Sequence, residues 1–225
     1  MKHPPYIDSK GNKIPSVTEI TKLVTGADAL MGWAYKLGVI GKNMYKERAK
    51  AMKTGTETHE FINAFDQNPD KMMEEGIPKD KEEVRIAFSS FLSFHNNHKY
   101  STVANELRMI CECPFHEPYG GTMDKVAIFD KDSLQLLDWK TGEKVYENYL
   151  MQLIGYAHLW ENGFVVDGDE PNQLGKRIDG FHIVCLSKDN TSYKDYFFKR
   201  EDDQEQCWLD CVKLHYSKNM IKELL

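Results

Sequence analysis

No stretch of the sequence approaches the roughly 20 consecutive apolar residues that a membrane-spanning helix needs, so a helical integral membrane protein is not expected. The opening residues, Met1-Lys2-His3-Pro4-Pro5, lack the apolar segment of a secretory signal. Cysteine is scarce: five residues, an odd number unevenly placed, do not read as a disulfide framework. The expectation is a soluble protein of a reducing compartment. There is no Gly-x-x-x-x-Gly-Lys-Ser/Thr loop, so no nucleotide-driven motor is expected in this chain. Internal repeats and low-complexity segments are lacking too. What is present is ample core material. Of 225 residues, 41% are apolar and 12% aromatic, which excludes a disordered linker.

The formal charge of −6 argues at first against a polyanionic partner. Net charge describes a whole surface, however, and not a site. Between Lys36 and Lys53 six basic residues (Lys36, Lys42, Lys46, Arg48, Lys50, Lys53) face Glu47 alone. Between Asp66 and Glu83 seven acids stand against Lys71, Lys79 and Lys81. Opposite signs are segregated along the chain, a pattern that solvated helix faces also produce.

Two regimes of periodicity suggest one domain over 1–225, with a helical layer over 1–99 and a sheet core with a closing helix over 100–225. In the first part Ser16 and Glu19 form a capping-box pattern for a helix reaching about Val24. Ala29, Leu30, Trp33, Ala34 and Leu37 make one apolar stripe, on which Trp33 reads as core. A helix is expected over about 56–66, a loop over 67–78, and a long helix over about 81–98 buried through Val84, Ala87, Phe88, Phe91 and Leu92. In the second part strands are expected over 102–111, 122–129 and 134–140, the last two joined by a tight turn at 130–133. A helix over about 145–162, a hairpin of 178–186 with 193–199, and a helix over about 202–224 complete the chain. This order implies an α/β fold, a mixed sheet flanked by helices.

The chemistry concentrates in Gly121-Thr122-Met123-Asp124 and Asp138-Trp139-Lys140-Thr141-Gly142. Alternate residues of a strand share a face, so Asp138 and Lys140 project together with Leu134 and Leu136, and Trp139 points the other way. If the hairpin pairs Phe129 with Ser133, Asp124 falls opposite Asp138, and a slip of one residue would undo this. Facing carboxylates repel by a few tenths to about 1 kcal/mol. A divalent cation between them reverses the sign. Oxygen donors favour Mg²⁺ or Mn²⁺ over zinc, and an adjacent lysine can neutralise charge building on a phosphate.

Asp-x-Lys alone is weak, but it does not stand alone. Gly55-Thr56-Glu57-Thr58-His59, Gly121-Thr122-Met123-Asp124, Asp138-Trp139-Lys140-Thr141-Gly142 and Gln152-Leu153-Ile154-Gly155-Tyr156 follow one another in order. Together they resemble the PD-(D/E)xK nuclease superfamily, and within it the RecB-like exonuclease group. The opening Ile14-Pro15-Ser16-Val17-Thr18 and the Trp33-Ala34 segment are similar to phage-type and mitochondrial members. The resemblance implies a restriction-endonuclease-like α/β core. It implies metal ligation by Asp124, Asp138, His59 and the backbone carbonyl of Trp139, with Lys140 as the catalytic lysine. Glu106 stands where many members carry a further acid, with Glu112 and Glu117 as neighbouring alternatives. Gln152 and Tyr156, one helical turn apart, would steady the substrate or the site.

Each residue also has a plainer reading: His59 as a packing residue, Tyr156 as core, Glu106 in a surface pair, Asp138 and Lys140 as an ordinary ion pair. No iron–sulfur cluster is expected, because no cysteine precedes Cys111 and Cys207 and Cys211 form a lone pair. Cys111-x-Cys113 lacks the spacing of a zinc knuckle. Lys42, Lys46 and Lys50, interleaved with Trp33, Tyr35 and Tyr45, offer cations for phosphates and aromatic faces for bases. The expected function is a Mg²⁺- or Mn²⁺-dependent deoxyribonuclease, an exonuclease acting on single-stranded DNA or DNA with free ends, in the cytoplasm of a bacterium or a phage-infected cell. Replication or recombination proteins are further partners, and a membrane is not. The alternatives are a structure-specific or single-strand endonuclease, and a non-catalytic nucleic-acid-binding member of the fold.

Overall fold

The computed structural model describes residues 4–24, 27–130 and 132–223. A short hairpin of β1 (Tyr6–Ile7) and β2 (Lys13–Ile14) precedes five helices: α1 (Val17–Thr21), α2 (Ala27–Val39), α3 (Met44–Gln67), α4 (Pro69–Glu75) and α5 (Glu82–Asn97). The sheet strands β3 (Tyr100–Cys111), β4 (Tyr119–Phe129) and β5 (Ser133–Lys140) follow. After them come α6 (Glu147–Asn162), β6 (Phe164–Val165), β7 (Gly180–Leu186), β8 (Tyr193–Lys199) and α7 (Gln204–Glu223).

Six strands form one sheet in the order β6-β3-β4-β5-β7-β8. Every pairing is antiparallel except β5 with β7, which α6 bridges as a crossover helix. Strand alternation builds two cores. Leu134, Leu136 and Val126 pack with Leu153, Ala157 and Trp160 of α6 and Trp208 of α7. Leu137, Trp139 and Ala127 pack on the other side with Ile62 and Phe65 of α3 and Phe88, Phe91 and Phe94 of α5. Helices thus cover both faces of a mixed sheet, a restriction-endonuclease-like α/β architecture with a helical N-terminal layer.

The capping box forms as expected: the Ser16 hydroxyl accepts from the Glu19 N–H at 3.1 Å, and Glu19 accepts from the Ser16 N–H at 3.0 Å. Ser16→Ala is expected to lower stability by about 1 kcal/mol, read as a shift of the urea midpoint at constant slope.

Several expectations need correction. The 67–78 segment is not all loop, because α4 occupies its middle, Pro69–Glu75. Its Pro69 sits at the first helical position, where a missing N–H costs nothing, and Asn68 caps Lys71. The helix expected from residue 56 starts twelve residues earlier, where the Asn43 side chain accepts from the N–H groups of Tyr45 and Lys46. Trp33 is exposed, and Leu37 is the α2 residue that becomes buried among those described. The side chains of Ala29 and Leu30 lie outside the described residues, as do Lys131 of the 130–133 turn and Leu224. The segregated charges meet. Lys50 Nζ of the basic half of α3 lies 2.6 Å from Glu83 in the acidic start of α5, and a reversed pair sets Lys81 Nζ 2.9 Å from Glu57 of α3.

Candidate active site

The three acids of the motifs come from three neighbouring strands. Phe129 pairs with Ser133, the register on which the opposition of Asp124 and Asp138 depends. The β4–β5 ladder closes at Lys125 with Leu137, and beyond it the Asp124 carboxylate accepts the Trp139 N–H at 2.9 Å. A side chain thus takes over the hydrogen bond as the strands part. On the β3 side, Asn105 pairs with Lys125 and Leu107 with Met123, which places Glu106 opposite Asp124. This alignment depends on a bulge between Thr102 and Ala104. Without that extra residue Asn105, and not Glu106, would face Asp124. Glu106 is held at φ +46°, a left-handed conformation that costs a non-glycine residue on the order of 1–3 kcal/mol.

Helix α3 delivers His59. Its Nε2–H donates to the Trp139 carbonyl at 2.8 Å, and its Nδ1 lies 3.4 Å from Asp124 Oδ1. Donor atoms of His59, Glu106 and Asp124 all fall within 4.8 Å of one another. The helix passes close to the strand end at Gly55, where a Cβ would stand a tight 3.3 Å from Thr141 Oγ1. A cavity of about 390 Å³ opens on this side, lined by Gly55, His59, Asn63, Glu106, Thr122 and Asp124.

Helix α6 supports Lys140. The ammonium contacts Asp138 at 2.5 Å and donates to Gln152 Oε1 at 3.2 Å, and Gln152 in turn donates to the Tyr156 hydroxyl at 2.8 Å. Tyr156 fits because Gly121 faces it, where a Cβ would lie 2.8 Å from its ring. The Tyr149 ring sits 4.8 Å from Lys140 Nζ, a cation–π contact that the sequence reading missed. Its signal was present, since Tyr149 lies three residues before Gln152 on the same helical ridge.

The electrostatics follow from burial. Burial would pull the His59 imidazole down, but the Asp124 charge and hydrogen bond outweigh it and hold the ring protonated, with a pKa of about 9. Burial likewise opposes ionisation of Asp124, and the His59 cation reverses this, keeping Asp124 below its usual range. Burial, with the Asp124 charge beside it, pushes Glu106 up to about 7. Burial pushes Asp138 up to about 6 against the pull of Lys140. Burial also opposes the Lys140 cation, but Asp138 and Asp124 raise it above the usual lysine range. The carboxylate row is therefore held together by two cations, His59 and Lys140.

The donor set suits a hard divalent cation: carboxylate oxygens in the majority, with one imidazole nitrogen. The buried Asp138 Oδ2 fits this too, since it receives no aligned hydrogen bond despite its close ammonium.

The basic candidates are placed differently. With 3.6 residues per turn, Lys46 and Lys50 lie on the flank of α3 opposite His59, and Arg48 shares the ridge of His59 through Met52 and Gly55. Lys42 is exposed before the helix, 4.0 Å from Glu47. The structure thus brings together Asp124, Asp138, Lys140, His59, Glu106, the Trp139 carbonyl, Gln152 and Tyr156, and leaves Lys42, Lys46 and Lys50 outside that group. Exposed Trp33, Tyr35, Tyr45 and Met52 accompany the basic segment.

No protein-family profile matches the chain, and no curated protein matches it. Among solved structures, LHK-Exo in complex with dAMP is similar at 12% identity and a TM-score of 0.45, over 93% of this chain and 89% of that one. The alkaline exonuclease LHK-Exo from Laribacter hongkongensis gives 12% identity and 0.40 over 94% and 95%. A putative exonuclease from Eubacterium rectale gives 16% and 0.44 over 75% and 65%.

Proposed function

We propose that the chain is a Mg²⁺- or Mn²⁺-dependent nuclease of the PD-(D/E)xK type that hydrolyses DNA from its ends. One observation carries this reading. Asp138 and Lys140 project from one strand onto a parting of strands where Asp124, Glu106 and His59 converge. A purely structural ion pair has no need of two further acids and a strained backbone beside it.

Asp124, Asp138 and Glu106 would hold the cation beside the Trp139 carbonyl, and His59 would join them through Nδ1, releasing the proton there while its Nε2–H stays on that carbonyl. A bound cation supplies Lewis-acid stabilisation of charge developing on the scissile phosphate. Lys140 does the rest from the protein side. It is charged at neutral pH, and Asp138, Gln152 and the Tyr149 ring fix its position. It thus serves as a preorganised electrostatic and proton-donating group rather than a base. Gln152 and Tyr156 keep that ammonium aimed. His59 ties the helical layer to the strand end through the Trp139 carbonyl, so the helical wall and the acids keep a fixed separation.

The test is hydrolysis of linear DNA, end-labelled and in single- and double-stranded form, against covalently closed circles, with Mg²⁺, with Mn²⁺ and with chelator. The reading expects metal-dependent release of label from linear DNA and intact circles. Nicked or linearised circles would favour the endonuclease alternative, and no metal-dependent hydrolysis on any substrate would overturn the reading.

A strand entering over the start of α3 would meet the ridge that leads to His59. Arg48→Ala is therefore expected to reduce the salt slope of DNA binding by about one. The pair Lys46→Ala and Lys50→Ala should change it less, because Lys50 is already engaged by Glu83. Equal slopes for wild type and Arg48→Ala would remove this path.

A further inference from the structure

The seven-residue connection between β3 and β4, residues 112–118, holds a second convergence of donors far from oxygen chemistry. Cys111 at the end of β3, Cys113 and His116 bring two sulfurs and one imidazole nitrogen within 4.8 Å of one another. Cys111 Sγ and His116 Nε2 are 3.7 Å apart. A tetrahedral zinc ion with sulfur and nitrogen bonds of about 2.3 and 2.0 Å needs a sulfur–nitrogen edge of about 3.5 Å. The observed edge is close to that before any ion is considered.

The imidazole is oriented as a ligand. His116 Nδ1 lies 2.8 Å from the Glu117 carbonyl, and since a carbonyl only accepts, Nδ1 carries the proton. The Nε2 lone pair then points toward Cys111. A ligating histidine that donates its other ring N–H to a backbone carbonyl is the usual outer arrangement of a zinc centre. The spacing Cys-x-Cys-x-x-His misses the knuckle pattern, and the site arises instead because the chain turns back at residues 114–116 before β4 begins.

We propose that Cys111, Cys113 and His116 form a site for one Zn²⁺ ion, with a water completing the coordination, separate from the carboxylate centre. Thiolate and imidazole select a soft, thiophilic cation over Mg²⁺ or Mn²⁺. Cys111 is buried against the end of α6, its sulfur 3.6 Å from the Asn162 carbonyl, and Cys113 and His116 are half-buried and open to exchange. The ion would pin the β3–β4 connection to the sheet end and to α6, a structural role.

Cobalt distinguishes the two centres, because only thiolate ligation gives a strong sulfur-to-cobalt charge-transfer band in the near ultraviolet. The full chain is stripped with chelator, reduced with a phosphine and titrated with Co²⁺, then with Zn²⁺. The expected result is a charge-transfer band saturating at one Co²⁺ per chain and abolished by one equivalent of Zn²⁺. Asp124→Ala should leave the band intact. Cys113→Ser and His116→Ala should weaken cobalt affinity by more than about 100-fold, since even loss of an outer partner costs ten- to a hundredfold. These two positions are partly exposed, so both variants should fold, as far-ultraviolet circular dichroism checks. Absence of the band in fully reduced protein overturns the site. So does a band of wild-type affinity in Cys113→Ser, which would put the ion on Cys207 and Cys211.

Discussion

Replacing Lys140 with methionine is expected to lower DNA hydrolysis by at least about 100-fold while leaving the fold intact. Loss of a single preorganised donor at a developing charge costs about 10² to 10³ in rate. Methionine keeps the aliphatic stem against Tyr149, so packing survives. The orphaned Asp138 carboxylate does not force unfolding, because burial has already raised it to about 6 and a proton can replace the ammonium. Single-turnover hydrolysis at saturating Mg²⁺, beside a thermal melt of each protein, separates the two effects. Lys140→Arg should fail to rescue, since a planar guanidinium does not fit the contacts with Asp138 and Gln152 that a compact ammonium makes. Wild-type turnover in Lys140→Met would rule out the assigned role.

The second large effect lies behind the site. Lys125, fully buried, reaches Asp66 of α3 at 2.7 Å, surrounded by the rings of Phe91, Tyr100 and Trp139. Burial pushes Asp66 up and Lys125 down in spite of their mutual attraction, so each group is biased toward its neutral form. The desolvation of the pair therefore exceeds what the contact returns. Asp66→Ala leaves an uncompensated ammonium in an aromatic core, with an expected loss of about 3–5 kcal/mol. Asp66→Leu combined with Lys125→Met removes both charges and should be neutral or more stable than wild type by about 1–4 kcal/mol. Denaturant unfolding of the three proteins at pH 7 decides it. A double variant as unstable as Asp66→Ala would show that the charges themselves stabilise the sheet-to-helix contact.

Much of the site could be read in the sequence because its logic is local. Asp138 and Lys140 share a face by strand alternation, Gln152 and Tyr156 share one by helical spacing, and the short turn fixes Phe129 against Ser133. Parts that depend on distant chain were invisible. Glu106 faces Asp124 only because of the bulge before Ala104 and a left-handed residue, neither of which has a composition signal here. The run Thr54-Gly55-Thr56 is poor helix-forming sequence, so α3 reads as starting after it, when tertiary packing carries the helix straight through. A helix begun at residue 56 gives Lys42, Lys46 and Lys50 no helical phase relative to His59. Once α3 is continuous from Met44, its phase assigns Arg48 to the ridge of His59 and turns Lys50 toward Glu83. The signals for α4, Asn68 as cap and Pro69 at the first position, were legible but outweighed by the proline and charge content of the segment. Two-residue strands such as β1, β2 and β6 are too short for any period to show.

In the proposed centre, oxygens from adjacent strands converge with Lys140 on one cation. Anomalous scattering from a crystal soaked in Mn²⁺ addresses it without reference to activity. A strong peak bounded by the carboxylates of Asp124 and Asp138, at about 2.1 Å from their oxygens, is the predicted result, and Asp124→Ala crystals should lack it. An empty map at that position in a fully soaked wild-type crystal would contradict the claim.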